Sequence, residues 1–551
     1  MTSTAVVIGT GPGGSAAAWS LSRAGVEVTL IEAGPRYVPA RDYRLDEPDW
    51  ELDRFPEKVP TRGRQTHAPL QPLEAVHGEL RSWNRIRGRL LPGDRRSFMT
   101  YSHVVGVGGS TLHYAGESHR MHPGAMTLSS DYGVGADWPI SYGDLEPFYE
   151  QAERLIGVAG PATDPQRPRR SPCPMAPHAM SYATTVLGRG CEKLGLSWQP
   201  NPVAAASRAY DGRPPCNYCG QCGRGCPRLD KGTADLTLIP KALATGHCRL
   251  LTGLQALRIE TDGRDRVRAV ICADSSGARH RFEADTIIVA CGAIETPRLL
   301  LNSSAPSAPG GLANETGQVG KNFLETVFWK SVALHPEPLA SYRGLPSDAI
   351  CWDYNAPDAI PGVVGGARFS PGTLEGDFGG PVAYAKRVVG GWGHDHKRRM
   401  REVFGRILSV GSIGENLPNE RSFIDLDPEQ KDPFGLPKAR IHSYLPQMEI
   451  ERLKFMRKTC REILEAADAK EFVEEYGTYD MFATSHAFGT CRMGSNPQTS
   501  VVGADCRSHR WRNLLISDAS VFPSSGGGEG PSLTIYANAL RVVDRLVKQG
   551  L

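Results

Sequence analysis

Apolar positions along this chain change their spacing in ways that mark out its elements. Residues 4 to 8, Thr-Ala-Val-Val-Ile, are a short unbroken β-branched run, the pattern of a strand buried in a parallel sheet. Gly9-Thr10-Gly11-Pro12-Gly13-Gly14 follows at once, Ser15 to Ala24 reads as a small-faced helix, Gly25 ends it, and Val26 to Ile31 is a second apolar run closing on Glu32. That order predicts a complete β-α-β unit.

Further along, Ser141 and Asp144 have the spacing of a capping box and predict a helix through about Ile156. Helices are also predicted over 182–195, 233–244 and from Ile294 to Leu301. The clearest runs from Met448 to Ala469, with apolar residues at 450, 453, 456, 460, 463, 464 and 467. Residues 249–281 alternate between glycine turns and predict a β-meander, after which Asp285 to Ala290 is a buried strand that returns to the opening sheet. Residues 320–445 read mostly as strands and loops, a large antiparallel sheet able to roof a cavity. Residues 36–100 are rich in Pro, Arg and Asp without sustained period, which predicts a covering excursion or lid.

A chain of 551 residues exceeds one ordinary core, so two interleaved domains are expected. The fold class is α/β (α+β): a Rossmann-like dinucleotide-binding domain from 1–35, 100–125, 233–325 and 505–551, and a substrate domain from 126–232 and 326–504 built on the large antiparallel sheet. Residues 36–99 are the excursion, and a Cys-rich loop lies at 216–227.

Lys and Arg number 63 against 60 Asp and Glu, a net charge of +3. This balance excludes a nucleic-acid footprint. Basic clusters around Arg85–Arg96 and Lys397–Arg406 read as solvated loops. No apolar run reaches the roughly eighteen residues of a membrane span, and the N-terminus enters a strand directly. A cytoplasmic protein is expected, or a periplasmic one if it is exported with a signal-bearing partner subunit.

The candidate chemistry lies at the turns. Gly9 permits the tight turn, Gly11 lets the backbone approach a pyrophosphate, Gly14 lets helix and strand pack, and Glu32 is placed to accept hydrogen bonds from a ribose. The helix N-terminus beside Pro12 offers free N–H groups to phosphate. The bland reading of this stretch is an ordinary glycine-rich turn, but the strand, helix, strand and terminal acid in order argue against it. A second glycine-rich turn, Val104 to Tyr114, holds Gly106, Gly109, Ser110 and His113. Cys291-Gly292 ends the returning strand beside the dinucleotide, a second cofactor contact.

Cys216, Cys219, Cys222 and Cys226 stand as C-x2-C-x2-C-x3-C-P, the run bacterial ferredoxins use for iron–sulfur ligation, where the fourth cysteine serves another cluster. A 3Fe-4S or 4Fe-4S cluster is expected, against local disulfides or a packed loop; structural zinc fits this compact run poorly. The other nine of the thirteen cysteines are scattered singly. Near the C-terminus His486 precedes a Gly-Thr turn, Leu514 to Asp518 is a strand ending in an acid, and the glycine loop 526–530 carries Glu529 and feeds a final helix through Lys548.

Taken together, the amino-terminal G-x-G-x-x-G with Glu32, the Gly106-Val-Gly-Gly-Ser-Thr-Leu-His113 turn, His486-x-x-Gly-Thr-x-Arg-Met-Gly, and the Asp518 strand before a last helix resemble the glucose-methanol-choline oxidoreductase family over nearly the whole length. The segment 216–226 resembles the Cys-rich segment of the bacterial gluconate, sorbitol and glucoside dehydrogenase flavoprotein subunits and of long-chain alcohol oxidases. The resemblance implies FAD and oxidation of an alcohol CH–OH to a carbonyl. It implies that His486 takes the hydroxyl proton while hydride leaves for flavin N5. His113 matches a position that bonds covalently to the flavin in several relatives. Asp518 and Ala519 match the segment lining the ribityl chain, and Ser532 and Leu533 fall among the cofactor contacts. Relatives usually place a second His or Asn before the proline matching Pro531; here Gly530 stands there, and Glu529 is the expected substitute, with Asn538 as another.

Two fates for the electrons follow. In a dehydrogenase they pass through a cluster on the cysteine run to a quinone, cytochrome or partner subunit; in an oxidase, dioxygen takes them and peroxide forms. A third reading is a flavin-binding escort without catalysis, which His486 argues against. The dehydrogenase is preferred, acting on a small-molecule alcohol such as a sugar, polyol or glycoside.

Overall fold

The opening run becomes the middle strand of a parallel sheet. In the computed structural model of the chain, which describes residues 3–43 and 63–550, Thr4–Ile8 lies between Glu27–Ile31 and Thr286–Val289, with Val6 opposite both Thr29 and Ile287. Cys248–Leu251 and Leu514–Ile516 complete the five strands, all parallel. A strand flanked on both sides and covered on both faces has no wet surface, which is why Ala5, Val6, Val7 and Ile8 run apolar without alternation. Helix Pro12–Arg23 covers one face and packs against the last helix, Ser532–Lys548. It starts at Pro12 rather than Ser15 because Gly11 caps it in extended backbone and proline suits the first helical position.

Three sequence readings shift. Cys248–Leu251 leaves the expected meander and joins the parallel sheet, with Leu250 opposite Leu30; the antiparallel meander is Gln255–Thr261, Val267–Ala273 and Arg279–Glu283. Helix Leu238–Ala244 covers only the second half of its predicted span. Helix Gly393–Val403 stands where strands and loops were expected, since nearly all its residues are exposed and it carries no apolar stripe to be read.

The second layer is a six-stranded antiparallel sheet in the order Ala367–Pro371, Ile407–Gly414, Val327–Leu334, Glu471–Gly477, Trp83–Asn84, Gly88–Arg89. Helix Gln447–Ala466 lies on it, and Trp329, Phe369, Leu453, Met456 and Ile463 close a core separate from that of the parallel sheet. The excursion 36–99 is woven into this half. Besides the two edge strands, Gln65–His67 pairs with Pro437–His442 and Ser97–Tyr101 with Met481–Thr484. Residues 44–62 of that excursion lie outside the described residues. No described helix is long and apolar enough to cross a membrane.

Candidate active site

Where the two layers meet, a continuous cavity of about 1550 Å³ runs from Glu32 and Leu254–Leu257 at one end to His486 and Arg368 at the other. It exceeds the roughly 300–1,000 Å³ of ordinary small-ligand pockets.

The first end is shaped by backbone. A Cβ on Gly14 would sit 1.9 Å from the Gly9 carbonyl oxygen, so helix and strand close only on glycine; a Cβ on Gly11 would meet nothing within 4 Å and would point into open space. Gly13, unassigned by the motif, packs as tightly, its Cβ position 1.5 Å from the Ser517 carbonyl oxygen. The Glu32 carboxylate is buried and accepts from the Thr10 hydroxyl (2.6 Å), the Thr10 amide (3.2 Å) and the Gly34 amide (2.9 Å). Burial pushes its pKa up against these bonds. Asp518 accepts from the Gly292 amide (2.9 Å), the Thr296 hydroxyl (2.6 Å) and the Ser520 amide (2.8 Å), and burial raises it likewise. Gly9, Gly11, Pro12, Glu32, Gly109, Ser110, His113, Cys291, Gly292, Asp518, Ala519 and Ser532 all line the cavity. Gly106 and Leu533 lie behind it: Gly106 is wedged against the Tyr37 ring, and Leu533 is in the core of the parallel sheet. The open face of Gly11, the helix N-terminus beyond it and a buried acid at the tip of the second strand fit a dinucleotide.

The second end is built from charged side chains. His486 follows strand Met481–Thr484, its amide donating to the Thr484 hydroxyl (3.2 Å) and its carbonyl accepting from it (2.8 Å). Its Nδ1 is buried and has no hydrogen-bond partner among the described residues, and the residue lines the cavity. Burial lowers its pKa to about 4, aided by Arg368 and His119 and opposed by Glu117, so the imidazole is neutral near pH 7. Glu117 and Arg368 also line the cavity and form a buried ion pair at 2.5 Å. Glu117 accepts further from the Ser347 hydroxyl (2.8 Å) and the Asn201 amide (3.2 Å). Burial acts to raise Glu117, yet Arg368, His119 and Ser347 together hold it down to about 2. His119 Nδ1 accepts from the Gly530 amide at 2.9 Å, and its Nε2 lies 2.8 Å from Asn201 Oδ1. His113 and His103 line the same cavity, and burial lowers them to about 3 and about 4.

Glu529, the expected substitute for the residue missing at Gly530, is turned away. It accepts from the His122 amide (2.9 Å) and pairs with Arg167 (3.1 Å), and it does not line the cavity. Asn538 bonds Cys506 Sγ and Arg541 instead. The groups nearest a side chain at Gly530 are Glu117 and His119, at 3.5 and 3.6 Å from its Cβ position. Glu117, His119 and Arg368 carried no signal in the sequence, because each stands in a stretch without motif or period.

The four cysteines of the run lie within electrostatic reach of one another. Cys222 sits in a small apolar group with Val203, Ala205 and Leu345. The Cys226 thiol donates to Asp230 (3.5 Å), Cys216 Sγ accepts from the Tyr218 amide (3.4 Å), and Cys219 lines the cavity. Burial pushes the Cys222 thiol up to about 12 against the pull of Lys231. Among the described residues no three His, Cys, Asp or Glu are arranged to hold a metal ion. The loop is instead stitched to the second glycine turn by buried Lys231, which donates to the carbonyls of Leu112 (2.9 Å), Tyr114 (3.0 Å) and Cys222 (2.7 Å).

Models of the GMC oxidoreductases match residues 86–327 and 418–539, and a Rossmann-like NAD(P)-binding domain matches residues 7–64. A 2-methyl-1,2-propanediol dehydrogenase of Mycolicibacterium austroafricanum is 30% identical over 99% of this chain and 95% of its own. The chain belongs to the GMC oxidoreductase family. It is similar also to the fructose dehydrogenase large subunit of Gluconobacter japonicus, 29% identical over 99% of this chain and 98% of that one. A 6'''-hydroxyparomomycin C oxidase of Streptomyces lividus is 31% identical over 97% and 89%. Among solved structures, pyridoxine 4-oxidase from Mesorbium loti superposes with a TM-score of 0.61 at 18% identity, covering 99% of both chains, which shows the shared fold. As a GMC oxidoreductase this chain is an FAD-binding enzyme acting on alcohol groups.

Proposed function

We infer that this GMC oxidoreductase oxidises a hydroxyl of a small polyol, sugar or glycoside to a carbonyl and delivers the electrons to an acceptor other than dioxygen. The observation that carries the reading is His486: an imidazole in the cavity wall, held neutral at pH 7 by its burial and facing Glu117 and Arg368 across the same lining. A neutral imidazole so placed accepts the hydroxyl proton. FAD, when bound, supplies the two-electron acceptor for the hydride leaving the same carbon. Glu117 then stabilises the imidazolium formed on His486, and Arg368 keeps Glu117 ionised. These two do the work assigned in relatives to the residue absent at Gly530. His113 is the residue to which a covalent flavin bond is assigned, burial having kept its ring neutral and nucleophilic.

A hydroxyl-rich substrate suits the lining beyond His486, where Arg368, Glu375, Asp377, Gln221 and Arg224 supply polar atoms. Relatives named for a propanediol, for fructose and for aminoglycosides support that class. The test is anaerobic mixing of the flavoprotein with a 1,2-diol, a hexose, a glycoside and a long-chain alcohol. Bleaching of the flavin by the first three is expected; bleaching by the long-chain alcohol alone overturns the substrate class. In air, a dye or quinone should be reduced without peroxide, and one peroxide per substrate overturns the acceptor.

A further inference from the structure

The two basic clusters that read as separate solvated loops meet on one face. Residues 83–90 and 386–403 together hold nine Lys or Arg against two carboxylates, more excess charge than the +3 of the whole chain. Asn84 donates to the Arg387 carbonyl (2.9 Å) and Arg85 to the Val388 carbonyl (2.9 Å). A Cβ on Gly390 would lie 3.3 Å from the Ile86 side chain. The turn between the two edge strands is therefore packed against the turn Gly390–Gly393.

That second turn carries Trp392, which is 90% exposed, beside Ile86 at 41%. Gly390, Gly391 and Gly393 hold φ of +63°, +70° and +80°, a backbone that presents the indole outward and that residues with a side chain rarely adopt. Acids on this face are engaged: Asp395 with Arg398 (2.8 Å), Glu402 with Arg399 (3.4 Å), and Glu471 with Arg85 and Arg399. Arg87, Arg89, Lys386, Lys397 and Arg401 are exposed and have no ion pair among the described residues.

We propose that this face docks the enzyme peripherally on an anionic lipid surface, with the Trp392 indole seated among the headgroups and the surrounding Arg and Lys facing lipid phosphates. Indole is at home at the bilayer interface, where its apolar ring and N–H are both satisfied. Basic residues ringing an exposed apolar side chain are the makings of reversible interfacial binding. A lipid surface is favoured over an acidic protein because the apolar groups stand out from turn tips instead of lining a groove, and a headgroup layer yields to such a projection. The inference is independent of the substrate and acceptor proposed above.

The test is co-sedimentation of the FAD-loaded full chain with vesicles of phosphatidylcholine alone or with about 30 mol% phosphatidylglycerol, at about 50 and 300 mM salt. Binding to the anionic vesicles at low salt is expected, falling steeply at high salt. Each basic residue near such a surface contributes about a five-fold factor, so Arg87→Glu/Lys397→Glu/Arg401→Glu should weaken binding at least ~100-fold. Trp392→Ser should weaken it by about ten-fold with the salt dependence kept. Both variants should keep their flavin and their turnover of a soluble alcohol, which shows that they fold. No binding to anionic vesicles at low salt, equal binding to phosphatidylcholine alone, or binding that the triple variant leaves unchanged overturns the proposal. Retention on immobilised polyglutamate without vesicle binding overturns it in favour of an acidic protein partner.

Discussion

One cavity has two ends held open by different physics. At the dinucleotide end the shape is set by backbone meeting backbone, Gly14 on Gly9 and Gly13 on Ser517, with carboxylates of Glu32 and Asp518 held by amides and hydroxyls. At the reaction end it is set by side-chain charge, Glu117 on Arg368 beside His119 and His486. Burial works on both in opposite senses. It raises Glu32 and Asp518 and lowers His103, His113, His119 and His486. The dinucleotide end is thus exacting about shape, and the reaction end is exacting about protonation.

The largest effect should come from breaking shape. Gly14→Val places a side chain within the Gly9 carbonyl, backbone that has no room to give, and the expected outcome is soluble protein without flavin or none at all. Flavin absorbance per protein measures it. Gly11→Ala, whose methyl meets only open cavity, should fold with an unchanged melting temperature and bind FAD roughly ten-fold more weakly, because backbone and pyrophosphate can no longer approach as closely.

Breaking charge comes next. His486→Ala should keep its flavin while substrate reduces it about 10²–10⁴-fold more slowly, the usual share of a positioned base; stopped-flow absorbance reads both. Glu117→Gln leaves the Arg368 guanidinium buried without its counter-charge, so a stability loss of about 3–5 kcal/mol is expected in urea unfolding. The double variant Glu117→Gln/Arg368→Met should recover most of it.

A smaller effect separates the two ends by pH. The buried histidines titrate near 6.5 when unfolded and at about 3 to 4 when folded. Between those values the unfolded chain binds more protons, so stability is full above about 6.5 and is lost as pH falls toward 4. Glu32 and Asp518, raised by burial, act in the opposite direction and lose stability as pH rises through their folded values. His119→Gln should flatten the acid limb of a melting-temperature profile without moving the alkaline one. For the cysteine loop, a dehydrogenase that hands its electrons on through these thiols requires about three to four irons per flavin in anaerobically purified protein; iron well below one per flavin would leave the loop a packing element.

How much was legible divides along the same line. A glycine turn between two apolar runs states its own geometry, so the first unit and Glu32 could be placed from spacing, while Asp518 came from the family resemblance. His486 was found through the motif around it. The charged groups of the reaction end come from residues 117, 119 and 368, far apart in sequence, and only tertiary packing gives them a common address. Glu529 misled because adjacency in sequence does not fix direction: its carboxylate follows Arg167 away from the cavity. Helix Gly393–Val403 was invisible because only Met400 and Val403 at its end touch the core, too few apolar positions to show a period.

The central claim is that burial keeps His486 neutral and ready to accept a proton across the physiological range. It is tested most directly by the limiting rate of flavin reduction in single turnovers, begun by pH jump so that slow acid unfolding does not intrude. The account predicts a rate that is level from about pH 8 to about pH 5 and falls only toward the folded value of about 4. A break near 6.5, the ordinary histidine value, would contradict it.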